Sequence, residues 1–401
     1  MIEFGTPEYK RVSFIMALGS FLIFCNLYLF QPILPQLASE FAISATQVNW
    51  IFAATTLTLS VSLVPWALLS EAIGRKKVLL VGLFVPPLIH LGMMLNSGFY
   101  SLVIGRALMG IALAAFASVA VAYMAEEMSS SALNRAVGGY IAANSLGGIS
   151  GRIAGGVLTD FFSWQVAAII IAVLTLAGAF MVLKGLPQQR HFKPQRGMFF
   201  HHNRQLIQHI RNPQVWYAML IGGFNFALFV NLFSVIGFRL SAEPYNLPSS
   251  LTSLTFLCYL SGTLSSRYSG QWATNRHPIS GMVLGNIVTM AGMYLAYFES
   301  VAMMLAGLLL ISTGAFFTHA LAYGWVSQKA VTAKATATAL YLVHYYVGGS
   351  LGGFFLIYCW QHGGWIMVIA GGSLLCSAIF ALCFMLGKRQ QADVVSPQQG
   401  K

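Results

Sequence analysis

Twelve stretches of about 20 mostly apolar residues, parted by short polar connectors, run from Val12 to Leu386 and leave little scope for a water-soluble fold. A helix of that length crosses the roughly 30 Å hydrocarbon core of a bilayer, and it satisfies its own backbone hydrogen bonds while doing so. Only 8% of the residues are charged and 57% are hydrophobic, against roughly 25% charged in an ordinary soluble domain. The apolar runs predict spans at 12–37, 46–69, 77–96, 99–124, 136–159, 164–185, 214–239, 250–270, 279–298, 301–326, 335–360 and 365–386. The fold class is therefore an all-α membrane protein of twelve transmembrane helices.

A net charge of +12 could suggest nucleic acid, but its placement points to topology. Lys10, Arg11, Arg75, Lys76, Lys77, Arg135, the group from Lys184 to Arg211, Arg267, Arg276, Lys329, Lys334, Lys388 and Arg389 all fall on one side of the twelve-span plot. The positive-inside rule makes that side cytoplasmic and puts both termini there. Residues 1–11 are polar and the first apolar run is of spanning length, so span 1 is expected to act as its own insertion signal. The five cysteines, Cys25, Cys258, Cys359, Cys376 and Cys383, lie inside apolar runs without metal-type spacing, and are read as small core residues. No metal or other cofactor is expected.

The chain repeats itself at an offset near 200 residues. Phe21, Phe24, Asn26 and Leu27 of span 1 recur in span 7 as Phe226, Phe229, Asn231 and Leu232. Ala115, Phe116, Ala120, Ala122 and Tyr123 of span 4 recur in span 10 as Ala315, Phe316, Ala320, Ala322 and Tyr323. Gly147, Gly148, Gly151 and Trp164 recur as Gly348, Gly349, Gly352 and Trp365. That order gives two pseudo-symmetric six-helix bundles in parallel, 1–186 and 214–389, with a linker at 187–213 and a tail at 390–401. Within the linker, Phe199, Phe200, Leu206, Ile207 and Ile210 lie opposite Arg204 and Arg211, the pattern of an amphipathic helix on an anionic leaflet.

Between spans 2 and 3 stands Ala67-Leu-Leu-Ser70-Glu71-Ala-Ile-Gly74-Arg75-Lys76-Lys77. This segment resembles the signature loop of the major facilitator superfamily, with Glu71 where that family usually has Asp. Gly74 permits a tight turn, and Arg75 and Lys76 can pair with Glu71 and with Glu126 or Glu127 at the cytoplasmic end of span 4. Such pairs can latch an inner gate. Arg106 and Gly110 resemble the superfamily's second signature. Gly147-Gly-Ile-Ser-Gly151-Arg152-Ile-Ala-Gly155-Gly156 resembles the antiporter signature of the drug/proton exchangers, with Arg152 where those usually have Pro. Leu29-Phe-Gln31-Pro32-Ile-Leu-Pro35, Ser150-Gly151-Arg152 and Thr159-Asp160-Phe-Phe-x-Trp164 together resemble the YnfM-type branch, inner-membrane transporters associated with acriflavine sensitivity. The resemblance implies two bundles around a midplane cavity, in the bacterial inner membrane, acting as a monomer. Independently of it, Gly147, Gly148, Gly151, Gly155 and Gly156 form a small-residue stripe suited to close helix packing.

Ionisable groups inside a bilayer are costly unless they meet a partner or a cavity, so they are site candidates. Arg106 and Arg152 lie at similar expected depth, with Asn26 and Asn231 as symmetric amides and Tyr323 on span 10; these are the candidate substrate-binding residues. His319 and His344 titrate in the neutral range and are the proton-coupling candidates. His90 is expected to face lipid or a neighbour. No Asp or Glu lies within any span. Two readings stay open: the arginines bind an anionic or zwitterionic solute through their guanidinium forks, or they are structural and apolar aromatics bind hydrophobic compounds. Export by proton antiport is favoured by the resemblance, uptake by symport is the alternative, and a membrane enzyme or sensor is remote because no catalytic motif or soluble domain is present. The partners expected are a small-molecule substrate, protons and the lipid bilayer.

Overall fold

The computed structural model describes residues 1–95, 98–190, 192, 206–330 and 334–395, without the side chains of 334–335 and 392–395. Apart from an isolated bridge between Ile2 and Met128, the described residues are helices and their connections. The chain groups into two compact units, Met1–Met198 with Gly237–Phe256, and Phe199–Ile236 with Leu257–Lys401. Residues 237–256, given to the second bundle by the repeat, thus pack with the first.

In the first unit α1 (Pro7–Tyr28) starts on Thr6, whose side chain accepts from the Tyr9 N–H, with Pro7 in the first turn. It stops at Tyr28, short of the expected residue 37, because Gln31-Pro32 opens a turn before the short α2 (Leu34–Glu40). Ser44 and Gln47 form a reciprocal cap on α3 (Ala45–Val48). Four long helices follow: α4 (Trp50–Ile73), α5 (Arg75–Leu95), α6 (Phe99–Glu127) and α7 (Ser130–Phe161). Then α8 (Trp164–Gly185) begins on a Ser163 cap. α1 packs on α7 and α8, α4 on α6, and α5 on α6 and α8.

The second unit takes α9 (Pro213–Ser241) as far as Ile236. Span 8, expected as one helix, is instead α10 (Ser249–Thr252), a 3₁₀ turn over Ser253–Cys258, and α11 (Tyr259–Asn275). The cause is a Ser/Thr run whose hydroxyls reach back three residues: Ser253 Oγ to Ser250 O at 2.9 Å and Thr255 Oγ1 to Thr252 O at 2.7 Å. The unit closes with α12 (Pro278–Leu295), α13 (Val301–Lys329) and α14 (Lys334–Val395). α14 is broken at Gly363 and Gly364, the latter at φ 59° and ψ −153°, a conformation open in practice only to glycine.

Nine helical segments among the described residues are long and apolar enough to cross a membrane, the last of them holding that break. Large apolar side chains such as Leu88, Leu91, Ile104 and Val173 in the first unit, and Ile287, Leu351, Ile366 and Leu374 in the second, are exposed. A surface of that kind is solvated by lipid. The chain is a multi-pass, all-helical membrane protein.

The stripe on α7 lies against α1. An added Cβ at Gly147 would meet the Phe21 carbonyl, at Gly151 the Cys25 backbone, and at Gly155 the Leu29 carbonyl. On α14 the same role falls to Gly348 against the Gly223 backbone and Gly352 against Ala227. Phe21 thus answers to Gly223 and Cys25 to Ala227, a packing offset of 202 (223 − 21, 227 − 25), whereas the matched letters of spans 1 and 7 stand 205 apart (226 − 21). In the linker, residues 206–211 are helical; Leu206 packs on the second unit's core, while Ile207 and Ile210 are exposed. Phe199, Phe200 and Arg204 lie outside the described residues.

Candidate functional site

The last four carbonyls of an α-helix lack intrahelical donors and carry the negative end of its dipole. At the end of α1, Arg106 of α6 supplies them. Its Nη1 donates to Asn26 O at 2.9 Å, its Nη2 to Leu27 O at 2.6 Å, and its Nε to Ile51 O at 3.3 Å. The Phe30 ring lies 4.9 Å from the guanidinium carbon. The side chain is wholly buried, and every nitrogen of the fork meets a backbone carbonyl.

Asn26 is held from three sides. Its Nδ2 donates to Leu22 O and to Thr175 Oγ1, both at 2.8 Å, and its Oδ1 accepts from His90 Nε2 at 2.8 Å. His90 therefore points inward to Asn26 and away from lipid. Its fully buried Nδ1 has no hydrogen-bond partner among the described residues.

Arg152 comes to the same end of α1 from α7. Nε donates to Gln31 Oε1 at 2.8 Å and Nη1 to Gly148 O at 2.9 Å. The guanidinium carbon sits 3.6 Å from the Tyr28 ring centroid and 4.7 Å from that of Phe256, a desolvated arrangement in which cation–π attraction reaches about 2 kcal/mol. Arg152, Gly156 and Asp160 share one face of α7 at four-residue steps. Gly156 lies against Ser249 and Ser253, and Asp160 Oδ2 accepts from Ser250 Oγ at 2.6 Å. Six consecutive residues, Asn26 to Gln31, thus contact both Arg106 and Arg152.

At the predicted loop, Gly74 has φ +99°, which explains its residue type. Arg75 donates from Nε (3.1 Å) and Nη2 (2.8 Å) to Glu126 Oε1, and lies 3.9 Å from Glu71. Gln189 knits this together: its Oε1 accepts from the Arg75 N–H at 2.7 Å, and its amide donates to Glu126 Oε2 at 3.3 Å. Lys76 donates to Leu186 O at 2.5 Å, and Glu127 accepts from the Arg190 N–H at 2.9 Å. Ile2, on the N-terminal segment, donates to Glu127 O at 2.7 Å. All of these partners belong to the first unit.

In the second unit Asn231 donates to Ala227 O at 2.9 Å and to Gly349 O at 2.8 Å, and its buried Oδ1 has no partner among the described residues. Its surroundings differ from those of Asn26, as the 202-residue packing offset requires: Leu228, not Asn231, stands at the register of Asn26. His319 is tied to α14 by Tyr341, whose Oη lies 2.9 Å from His319 Nδ1 and 3.3 Å from His319 O. Tyr345 and Tyr323 stand 4.4 and 6.3 Å from the His319 ring, and Phe226 stacks on Tyr345 at 3.9 Å. His344 faces elsewhere, donating Nδ1–H to Leu340 O at 2.7 Å with its ring edge-on to Trp216.

The arginines and His319 stand out in the sequence, whereas Gln31, Phe256, Gln189, Tyr341 and Tyr345, which the structure places beside them or at the loop, do not. The pairs His319/Tyr323 and Tyr341/Tyr345, each one turn apart, were a readable signal. Nothing local marks Gln31 or Phe256 as a partner of Arg152.

The Major Facilitator Superfamily profile matches residues 16–353. The inner membrane transport protein YnfM of Escherichia coli K12 is 35% identical over 375 residues, 91% of this chain and 87% of that protein. The uncharacterized MFS-type transporter YybF of Bacillus subtilis 168 is 30% identical over 372 residues, covering 92% and 91%. Among solved structures, a bacterial homologue of the human lysosomal transporter Spinster, inward-facing and occupied, superposes with a TM-score of 0.75 at 14% identity over 96% of this chain and 98% of that one. The human organic anion transporter MFSD10 gives 0.71 at 15% identity over 95% and 100%.

Proposed function

Because the chain belongs to the major facilitator superfamily and is a small-molecule transporter of the membrane, we propose that it is a proton-coupled secondary active transporter exporting small organic or amphipathic compounds by antiport. Two six-helix bundles, 1–186 and 214–389, alternate access across the bacterial inner membrane, with both termini cytoplasmic and the protein a monomer. The observation that carries the coupling is the His319–Tyr341 pair, a half-buried imidazole held on a phenol in spans that contain no Asp or Glu. A histidine is then the side chain whose ordinary titration range suits a proton gradient. The loop of Glu71, Gly74, Arg75, Lys76, Glu126 and Glu127 is the inner gate; the Arg75–Glu126 ion pair and the hydrogen bonds of Gln189 brace the α4–α5 turn on α6.

A second reading, exchange or symport of an organic anion or zwitterion, is favoured by the buried guanidinium groups of Arg106 and Arg152 and by the absence of Asp and Glu from the predicted spans. Everted vesicles carrying a proton gradient separate the two. Dissipation on adding an acriflavine-type cation supports drug export, whereas dissipation by organic anions alone supports the second. No dissipation by the cation, by the anions or by an uncharged aromatic such as 1-naphthol, with the protein present and folded, refutes proton coupling.

A further inference from the structure

We infer that the second unit carries a binding platform for a planar aromatic solute that is uncharged when bound and has a hydrogen-bonding edge, a refinement that rests on the small-molecule transport reading. The platform is built by α9, α13 and α14. His319 and Tyr323 project from α13 one turn apart, Tyr341 and Tyr345 from α14 one turn apart, and Phe226 of α9 backs Tyr345. The Phe226–Tyr345 pair is parallel within 13° at 3.9 Å, and Tyr341–Tyr345 within 23° at 6.2 Å. Tyr323 meets Tyr341 edge-on at 5.4 Å.

A gradient of exposure along this aromatic run separates it from ordinary core. Its foot, Phe229, Phe233 and Tyr259, is packed ring on ring and buried. Its head is open: His319 and Tyr345 are half-buried and Tyr323 is 37% exposed. A flat ring can extend the stack at the head through offset or edge contacts, which aromatic faces favour over aliphatic ones. Because Tyr341 takes His319 Nδ1, Nε2 is the remaining hydrogen-bonding position on that imidazole, and it supplies orientation.

Charge decides the class. The second unit has two acidic residues, Glu299 between α12 and α13 and Asp393 near the C-terminus; neither stands on the helical turns that form the platform. A permanent cation would lose its hydration and regain only cation–π attraction, which does not replace a carboxylate. An anion would meet one imidazole and three phenols with no guanidinium among them. An uncharged ring loses least on entry and gains the stack.

The test is equilibrium binding to the purified full-length protein, with no gradient applied. The probes are 1-naphthol, the planar cation N-methylquinolinium, and the saturated, non-planar decahydro-1-naphthol. Saturable 1-naphthol binding is expected, at least tenfold tighter than either comparison probe. Tyr345→Leu weakens it at least tenfold and Tyr345→Phe less than threefold. Tyr323→Leu, at an exposed position that leaves the core packed, weakens it severalfold and keeps the test decisive should the Tyr345 variant misfold. Cation binding as tight as 1-naphthol binding, or binding indifferent to both leucine substitutions, overturns the platform. Platform-dependent binding without proton flux in vesicles would instead refute the coupled-transport reading alone.

Discussion

Replacing Arg106 by Met keeps most of the side-chain volume and removes the donors that finish α1. Two carbonyls, Asn26 O and Leu27 O, lose their charged partner in a fully buried setting; a buried acceptor left unmade costs about 1–3 kcal/mol. The third bond, to Ile51 O at 3.3 Å, is long, and that carbonyl lies within α4, so its loss adds little. The gross cost is thus about 2–6 kcal/mol, reduced because a buried cation no longer has to be desolvated. Against a typical stability of about 5–15 kcal/mol this is a large fraction. Arg106→Lys offers a point charge in place of a planar fork, satisfies one carbonyl well, and falls between. The assay is thermal inactivation of the purified protein, followed by decay of its monodisperse size-exclusion peak. The expected order of midpoints is wild type, Lys, Met, with substrate KM unchanged in the Lys variant. A Met variant as heat-stable as the wild type that no longer binds solute would refute the clamp and make the guanidinium a solute ligand.

Reversing charge at Arg75 (R75E) or Glu126 (E126R) alone should lower transport severalfold, and the double exchange should restore part of it. An exchange no better than either single variant would remove their ion pair from the gate. Gly151→Ala puts a Cβ 2.5 Å from Cys25 Cα, whereas Gly138 and Gly139 on the same helix have open space around the added atom. Gly151→Ala should therefore lower the thermal midpoint by several degrees while Gly138→Ala leaves it unchanged or raises it, helix propensity favouring Ala by up to about 1 kcal/mol; equal midpoints would deny the close approach of α7 to α1. His319→Gln should retain downhill solute exchange but lose proton-driven accumulation, read as solute flux with and without a gradient, and intact accumulation would move the coupling group elsewhere.

The membrane fold was legible because hydropathy and span length are properties of single segments. Departures arose where side chains bond locally to the backbone or where proline intervenes, as at Gln31-Pro32 and in the Ser/Thr run before α11. The arginines stood out because charge in an apolar run is rare, but their partners did not. Arg106 binds carbonyls, which every residue possesses, and Arg152 is sandwiched between rings 228 residues apart in sequence (256 − 28). His90 carries no mark of its role in the sequence, because its partner Asn26 lies 64 residues away and on another helix. Asn231 was paired with Asn26 by matching letters at an offset of 205, whereas helix packing is set by where glycines admit a neighbouring backbone, and that register is 202.

The two copies of the repeat can be compared position by position, and the comparison separates what the fold requires from what it does not. At the offsets of spans 4/10 and 5/11, Arg106 answers to Ala306 and Arg152 to Gly353, while His319 answers to Val119 and Tyr345 to Asn144. The first substitution has a structural cause. α1 ends at Tyr28 and exposes terminal carbonyls that need donors, whereas α9 runs unbroken past the equivalent register to Ser241 and takes up those carbonyls itself. A clamp is needed in one copy and not in the other, so Ala306 suffices. No such cause explains His319: Val119 fills the corresponding place on α6, fully buried, and the helix is as well packed without an imidazole. The arginine that the fold accounts for is thereby the weaker candidate for solute chemistry. His319 and Tyr345, which have no counterpart in the first copy, are the stronger candidates, while Tyr323 and Tyr341 recur there as Tyr123 and Tyr140.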